Sequence, residues 1–139
     1  MIGTIEKRME FSSSPERVWK ALTDGEELGS WFPDAGAFTL EPAAEGAFTW
    51  ENHGAYSVRV ERFEPPHRLA WRWCHEPGKP VDDGPNTLVE FALTAREDGG
   101  TTLDLVETGF LTEEHLKSNT GGWDSELGEL ETYLQAQAA

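Results

Sequence analysis

The chain has 139 residues, of which 37% are hydrophobic and 11% aromatic. This size and composition predict one globular domain over residues 1–139 and exclude a disordered chain. The net charge of −15, from 26 acidic and 11 basic residues, excludes nucleic acid and an anionic membrane surface as partners, because both require a basic protein surface.

The sequence carries no targeting or membrane signal. Its N-terminus lacks the basic start and apolar run of a signal peptide, and no stretch approaches the ~18 apolar residues of a membrane span. Cys74 is the single cysteine, which leaves no disulfide framework and no cysteine-rich zinc site. We therefore expect a cytoplasmic protein.

The first elements are a strand and two short helices. Alternating apolar residues predict a strand over Thr4–Phe11, and Ser14 followed by Pro15 is typical of a helix N-cap and first turn. An inward stripe follows at helical spacing, formed by Val18, Trp19 and Leu22. A second short helix is predicted from Glu26 to Trp31, ended by Pro33.

From residue 37 onward the apolar residues repeat with a period of two. Turn sequences rich in Gly, Pro, Asn and Asp separate six such sets, which predicts an antiparallel meander with one buried face. The predicted strands contain Phe38–Leu40, Phe48–Trp50, Tyr56–Val60, Leu69–Trp73, Val89–Leu93 and Leu103–Leu105. The irregular segment Glu76–Asn86 is either a surface loop or a lid over a pocket.

The last element is a long helix, capped by Thr112 and running to about Gln135. At ~1.5 Å per residue it extends roughly 35 Å, enough to cross the sheet. Its apolar stripe consists of Leu116, Trp123, Leu127, Leu130 and Leu134. Gly121 and Gly122 inside it are explained either by a bend or by close approach to the sheet.

These elements predict an α+β fold in which a curved antiparallel sheet of about six or seven strands wraps around the C-terminal helix. Four segments resemble proteins homologous to the activator of the heat-shock-protein-90 ATPase, within the SRPBCC (START-like, helix-grip) superfamily. They are Ser14-Pro-Glu-Arg-Val-Trp-Lys-Ala-Leu-Thr-Asp24 with Glu27-Leu-Gly-Ser-Trp-Phe32, Phe63-Glu-Pro-Pro-His-Arg-Leu-Ala-Trp-Arg-Trp73, Val106-Glu-Thr-Gly-Phe110, and Gly122-Trp123 through Tyr133-Leu134.

This resemblance implies an internal hydrophobic cavity. In the wider superfamily such cavities hold lipids, polyketides, sterols or aromatic compounds, and a minority of members are cyclases or other enzymes. The family name comes from eukaryotic co-chaperones that act in the stress response. The resemblance therefore implies a hydrophobic small-molecule ligand first, and a chaperone partner by analogy alone.

Ten aromatic residues are candidate ligand contacts, and simple core packing is the alternative explanation for each of them. They are Trp31, Phe38, Phe48, Trp50, Tyr56, Trp71, Trp73, Phe91, Phe110 and Trp123. For the group as a whole, the family resemblance implies a cavity of the usual ligand size, ~300–1,000 Å³.

Glu107 is the most informative polar residue, because strand parity places it on the same face as Leu103 and Leu105. An inward carboxylate is costly unless it is paired or protonated. It either orients a ligand or acts as an acid or base; the alternative is a structural ion pair with Arg59, Arg72 or the first helix.

The histidines add one candidate. His115, in the first turn of the last helix, could face the cavity with Glu107 as a proton-transfer pair, and these two residues are the weak catalytic candidates. His53 and His67 lie at predicted turns, and His75 borders the long loop. Cys74 next to His75 points to the opposite strand face, which favours a buried, inert cysteine. The histidine spacing predicts no metal site.

Three functional hypotheses follow. The first is a non-enzymatic domain that binds a hydrophobic or aromatic small molecule, without a cofactor, using Glu107 and Tyr56 for orientation. The second is a small enzyme of the cyclase, dehydratase or hydrolase type using Glu107 with His115. The third is a chaperone-associated interaction module, which requires an exposed apolar patch. A homodimer is compatible with each.

Overall fold

The structure is a computed structural model that describes residues 3–31, 35–37, 45–50 and 54–138. Its elements follow the predicted order of one strand, two helices, six strands and a long helix. They are β1 (Ile5–Phe11), α1 (Pro15–Thr23), α2 (Gly25–Trp31), β2 (Ala35–Ala37), β3 (Glu45–Trp50), β4 (Gly54–Glu64), β5 (Arg68–Cys74), β6 (Asn86–Ala95), β7 (Thr101–Thr108) and α3 (Glu113–Ala138).

The seven strands form one antiparallel sheet in the order β1-β7-β6-β5-β4-β3-β2. Strands β2 to β7 follow one another as a meander, and β1 joins the sheet at the far edge by pairing with β7, with Ile5 opposite Glu107. The helix-grip architecture predicted from the sequence is confirmed.

Two predicted helix caps are confirmed. The side chain of Ser14 accepts a hydrogen bond from the backbone N–H of Arg17 at 3.2 Å, with Pro15 in the first turn of α1. The Thr112 hydroxyl oxygen accepts the N–H of His115 at 3.1 Å at the start of α3. Each cap satisfies an amide that the helix itself leaves without an acceptor.

Several boundaries differ from the sequence prediction. The helix α3 runs to Ala138 rather than to about Gln135, and a short 3-10 turn, Val81–Asp83, lies within the segment predicted to be irregular. The strand predicted at Phe38–Leu40 and the stop at Pro33 lie outside the described residues.

The helical glycines are not explained by close approach to the sheet. A Cβ atom placed on Gly121 or on Gly122 would meet no atom within 4 Å. There is thus open space on this stretch of α3, which neither side chains nor the sheet fill.

The core lies between the concave face of the sheet and the three helices. The last helix contributes its predicted stripe, with Trp123, Leu127, Leu130 and Leu134 buried and Leu116 packed at the edge. In the described part of the chain, no helix is long and apolar enough to cross a membrane.

Candidate functional site

A cavity of about 490 Å³ lies between α3 and the strands β4 and β5. The sheet side is formed by Tyr56 of β4, Trp73 and Cys74 of β5, and His75 just after β5. The helix side is formed by residues three or four positions apart along one face of α3, which are His115, Ser118, Asn119, Gly122, Trp123 and Glu126.

Two tryptophans that line this cavity pack against each other. The ring centroids of Trp73 and Trp123 lie 5.8 Å apart with an angle of 27° between the planes, a stacked arrangement. Trp73 is 8% and Trp123 is 2% exposed. The cavity is therefore bordered by flat aromatic faces contributed by both the sheet and the helix.

Glu107 lies behind these walls, with 0% of its surface exposed. Its Oε1 accepts the indole N–H of Trp123 at 2.8 Å, and its Oε2 accepts the indole N–H of Trp73 at 2.9 Å and the Thr87 hydroxyl at 2.5 Å. The amide nitrogen of Asn119 lies 3.3 and 3.2 Å from the two oxygens. Because indole and amide nitrogens can only donate, Glu107 accepts at both oxygens, as an ionised carboxylate does.

The ion-pair alternative for Glu107 is wrong. Arg59 pairs with Asp82 at 2.9 Å, Arg72 pairs with Glu61 at 3.2 Å, and Arg17 of the first helix pairs with Glu27 at 2.7 Å. The negative charge of Glu107 is instead stabilised by neutral hydrogen-bond donors, which compensate its desolvation.

A chain of hydrogen bonds connects Glu107 to the cavity. Nε2 of His75 lies 2.5 Å from the Thr87 hydroxyl oxygen, and Nε2 of His115 lies 2.7 Å from Nδ1 of His75. Thr87 gives its single hydroxyl hydrogen to Glu107, so it must accept from His75. His75 therefore carries its hydrogen on Nε2, and its bare Nδ1 accepts from His115.

This direction of donation requires that His75 is neutral, because its Nδ1 must accept a hydrogen bond. Burial, together with the charge of neighbouring His115, lowers the pKa of His75 to about 3. Burial also lowers the pKa of His115, against an opposing contribution from the charge of Glu107. Near neutral pH, each ring thus has one N–H and one bare nitrogen. The predicted direct pair of Glu107 and His115 is not formed; His75 and Thr87 lie between them.

Glu126 is the second acidic group of the site. Its Oε2 is buried and has no hydrogen-bond partner among the described residues. Burial first, and then the charge of Glu129, raise the pKa of Glu126 to about 7. This carboxyl group is therefore poised between its neutral and ionised forms.

The predicted aromatic contacts separate into three groups. Tyr56, Trp73 and Trp123 line the cavity. The side chains of five others lie in the hydrophobic core cluster, namely Trp31, Phe48, Trp71, Phe91 and Phe110, where the Trp71 ring lies 5.1 Å from Phe48 and 4.9 Å from Phe91. Phe38, His53 and the side chain of Trp50 lie outside the described residues. The ligand contacts stay a prediction.

The sequence analysis did not select four residues of the site. His75 shares strand parity with Trp73, and Thr87 shares it with Val89, so both had an inward signal. Asn119 and Glu126 lie four residues before and three after Trp123, on the same helix face. Among the described residues, no group of three His, Cys, Asp or Glu side chains is arranged to hold a metal ion.

The sheet wrapped around a long helix defines a helix-grip protein of the SRPBCC superfamily. The family described as activator of Hsp90 ATPase homolog 1-like protein matches residues 12–135. The chain therefore belongs to this family. Among curated proteins, no sequence matches it.

Similar solved structures cover nearly the whole chain. A protein of Mesorhizobium loti is 23% identical, with a TM-score of 0.85 over 96% of this chain and 98% of its own. CalU16 from Micromonospora echinospora is 29% identical, with a TM-score of 0.76 over 97% and 78%. The Aha1 dimer from Colwellia psychrerythraea is 19% identical, with a TM-score of 0.78 over 94% of each chain. The first and third likenesses show the fold alone.

Proposed function

We propose that this protein binds a hydrophobic or aromatic small molecule in the cavity between β4, β5 and α3. The observation that carries the proposal is a cavity of about 490 Å³ with Tyr56, Trp73 and Trp123 in its lining. This volume lies within the range of ligand pockets, ~300–1,000 Å³, and aromatic walls are typical of them.

Burial of apolar surface supplies the affinity. A two-ring compound that buries about 250 Å² of apolar surface gains about 6 kcal/mol at ~25 cal/mol per Å². The entropy lost on association offsets part of this gain. An affinity in the micromolar to millimolar range follows, unless polar contacts add to it.

Glu107 has a positioning role in this proposal. It is fully buried and lies behind the cavity wall, where it holds the indole N–H groups of Trp73 and Trp123. It thereby fixes the two stacked indole rings, against which a ligand ring can pack. Orientation of the ligand then falls to polar groups of the lining itself, Tyr56 among them.

The two adjacent helical glycines provide a matched test. Gly122 lines the cavity, whereas its neighbour Gly121 is exposed outside the lining. Both have open space where a Cβ would stand. We expect Gly122→Leu to weaken binding of 2-naphthalenemethanol at least tenfold, and Gly121→Leu to leave it unchanged. Saturation-transfer NMR and tryptophan fluorescence measure both. Equal binding by the two variants would place the ligand elsewhere.

A second candidate function is an enzyme that transfers a proton. The hydrogen-bond chain from Glu107 through Thr87 and His75 ends at His115, which lines the cavity. His115 would act as the base toward a bound carbonyl compound. The test is deuterium uptake at the α-carbon of bound aromatic ketones in D2O, lost in His115→Gln. Binding without exchange leaves the first function and removes this one.

The interaction-module hypothesis finds less support. Among the described residues, Leu111 is the large hydrophobic side chain that is exposed, at 67%. One exposed leucine is not the contiguous apolar patch that a docking surface for a chaperone, or for a second copy of the chain, requires. The Aha1 dimer from Colwellia psychrerythraea makes the homodimer worth measuring by light scattering.

A further inference from the structure

The polar groups of the cavity lining differ in whether they can still form a hydrogen bond with a ligand. Five of its N–H donors already serve the network around Glu107: those of Trp73, Trp123 and Asn119 bond to the carboxylate, His75 bonds to Thr87, and His115 bonds to His75. These five donors are therefore directed into the protein and not toward the cavity.

What remains toward the cavity is mainly acceptors. The hydrogen on Nε2 of His115 goes to His75, so Nδ1 of His115 keeps a lone pair. Glu126 contributes a carboxyl group with one buried oxygen that no described residue bonds. The hydroxyl of Ser118 can act in either direction. A ligand that donates hydrogen bonds therefore matches this lining better than a ligand that only accepts them.

The charge around the cavity has one sign. No Lys or Arg occurs among its described lining residues, whereas Glu126 does. The net charge of −15 on the whole chain attracts cations and repels anions over the entire surface. A cation beside Glu126 would also lower the cost of ionising a half-buried carboxyl group.

The aromatic walls complete a cation site. Trp123 precedes Glu126 by three positions, so the two side chains are neighbours on the same face of α3. An ammonium group next to Glu126 can therefore also lie against an indole face, where the ring quadrupole attracts it. Trp73 stacks on Trp123 from the sheet side and provides the surface for the apolar part of a ligand.

From these contacts we infer that the ligand is an arylalkylamine in its protonated form, with its ammonium group donating to Glu126 and its ring lying along Trp123 and Trp73. The inference rests on the proposed function and narrows it to one chemical class. His115 lies eleven residues before Glu126, about 16 Å along the helix axis. His115 is therefore too far from Glu126 to bind the same ammonium group. Its Nδ1 can accept a hydrogen bond from a second donor at the far end of a longer ligand.

The test compares three probes on one scaffold: 2-naphthalenemethanamine, 2-naphthalenemethanol and 2-naphthoate, at pH 8 and 150 mM salt. We expect the amine to bind at least tenfold more tightly than the alcohol, and the carboxylate at least tenfold more weakly. Glu126→Gln removes the preference for the amine, to within twofold. The matched control is Glu129→Gln, which removes the same charge from an exposed position one turn away and keeps the preference.

The possible outcomes distinguish a failure of the cation inference from a failure of the proposed ligand-binding function. If the alcohol binds as tightly as the amine to the unmodified protein, the cation inference is wrong and the binding function stands. If Glu129→Gln reduces the preference as much as Glu126→Gln does, general surface charge explains it, and the site at Glu126 is overturned. If none of the three probes binds, the proposed function itself fails.

Discussion

The indole N–H of Trp123 on α3 donates to Oε1 of Glu107 on β7 at 2.8 Å, so the long helix is fastened to the sheet by a hydrogen bond inside the core. The other carboxylate oxygen accepts from Trp73 on β5 and Thr87 on β6. One side chain thus connects four elements. A buried carboxylate without a cationic partner is costly, and the directed donors around Glu107 make it tolerable while they fix the aromatic walls of the cavity.

The first prediction concerns this carboxylate. Glu107→Gln replaces an oxygen that accepts hydrogen bonds by an NH2 group, which faces donors and leaves at least one of them unsatisfied. Each buried unsatisfied donor costs about 1–3 kcal/mol, so we expect the free energy of unfolding to fall by about 2–4 kcal/mol. Urea denaturation measures it. The control, Glu90→Gln at an exposed position of β6, should change stability by less than about 0.5 kcal/mol.

A double-mutant cycle tests whether the stability lost in Glu107→Gln comes from the hydrogen bond with Trp123. Trp123→Phe removes the indole donor and keeps an aromatic ring. If both changes act on the same hydrogen bond, their effects on the free energy of unfolding are not additive, with a coupling of about 0.5–3 kcal/mol. Additive losses would show that Glu107 does not hold the helix through this contact.

The second prediction concerns acid stability. The pKa of His75 is lowered to about 3 by burial and that of His115 is lowered in the same direction, while the usual value near 6.5 applies in the unfolded chain. Below pH 6.5 the unfolded state thus binds more protons than the native state. Stability is fully present above pH 6.5 and is lost as pH falls toward 3.

His75→Gln should flatten this dependence. One proton fewer taken up on unfolding reduces the slope of the unfolding free energy by about 1.4 kcal/mol per pH unit. Urea denaturation at pH 4, 5, 6 and 7 gives the slope. His67→Gln, at an exposed turn, is the control and should follow the unmodified protein. An unchanged slope in His75→Gln would mean that His75 is not buried in its neutral form.

Part of this site could be predicted from the sequence, because each strand or helix reports its own buried face. The alternation with Leu103 and Leu105 places Glu107 inward, and the helical stripe places Trp123 inward, as the structure shows. The hydrogen-bond partners of Glu107 could not be predicted in this way. Thr87 lies opposite Trp73 in the β5–β6 register, and Val89 lies opposite Glu107. That register across three strands depends on pairing that no single strand's pattern specifies.

The sequence could not separate cavity walls from core packing either. Trp71 and Trp73 have the same parity in β5, yet the first is enclosed by Phe48 and Phe91 and the second borders the cavity. The difference arises from which residues of α3 lie opposite each of the two tryptophans. Gly122 leaves open space in the lining that also contains Trp73, so the glycine pair is a local sequence signal for the cavity.

The third prediction concerns Glu126. Burial and the nearby charge of Glu129 raise its pKa to about 7, above the usual value near 4.3 for the unfolded chain. Between these two values the native state binds more protons than the unfolded state, so this group makes stability fall as pH rises from about 4.3 to 7. The effect of Glu126 on the pH dependence of stability is opposite in sign to that of His75 and His115, which line the same cavity. Tyr56 and Cys74 are the other titratable residues of the lining.

Glu126→Gln removes the titration and isolates this contribution. Relative to the unmodified protein, we expect the variant to melt at a similar temperature at pH 4.5 and at a higher one at pH 8. A difference of about 1 kcal/mol corresponds to about 3 °C for a chain of this size. Glu97→Gln, in the exposed turn between β6 and β7, removes one negative charge without burial and should show no such pH dependence. If the two variants shift alike at pH 8, the change comes from net charge, and Glu126 has no special cost of ionisation.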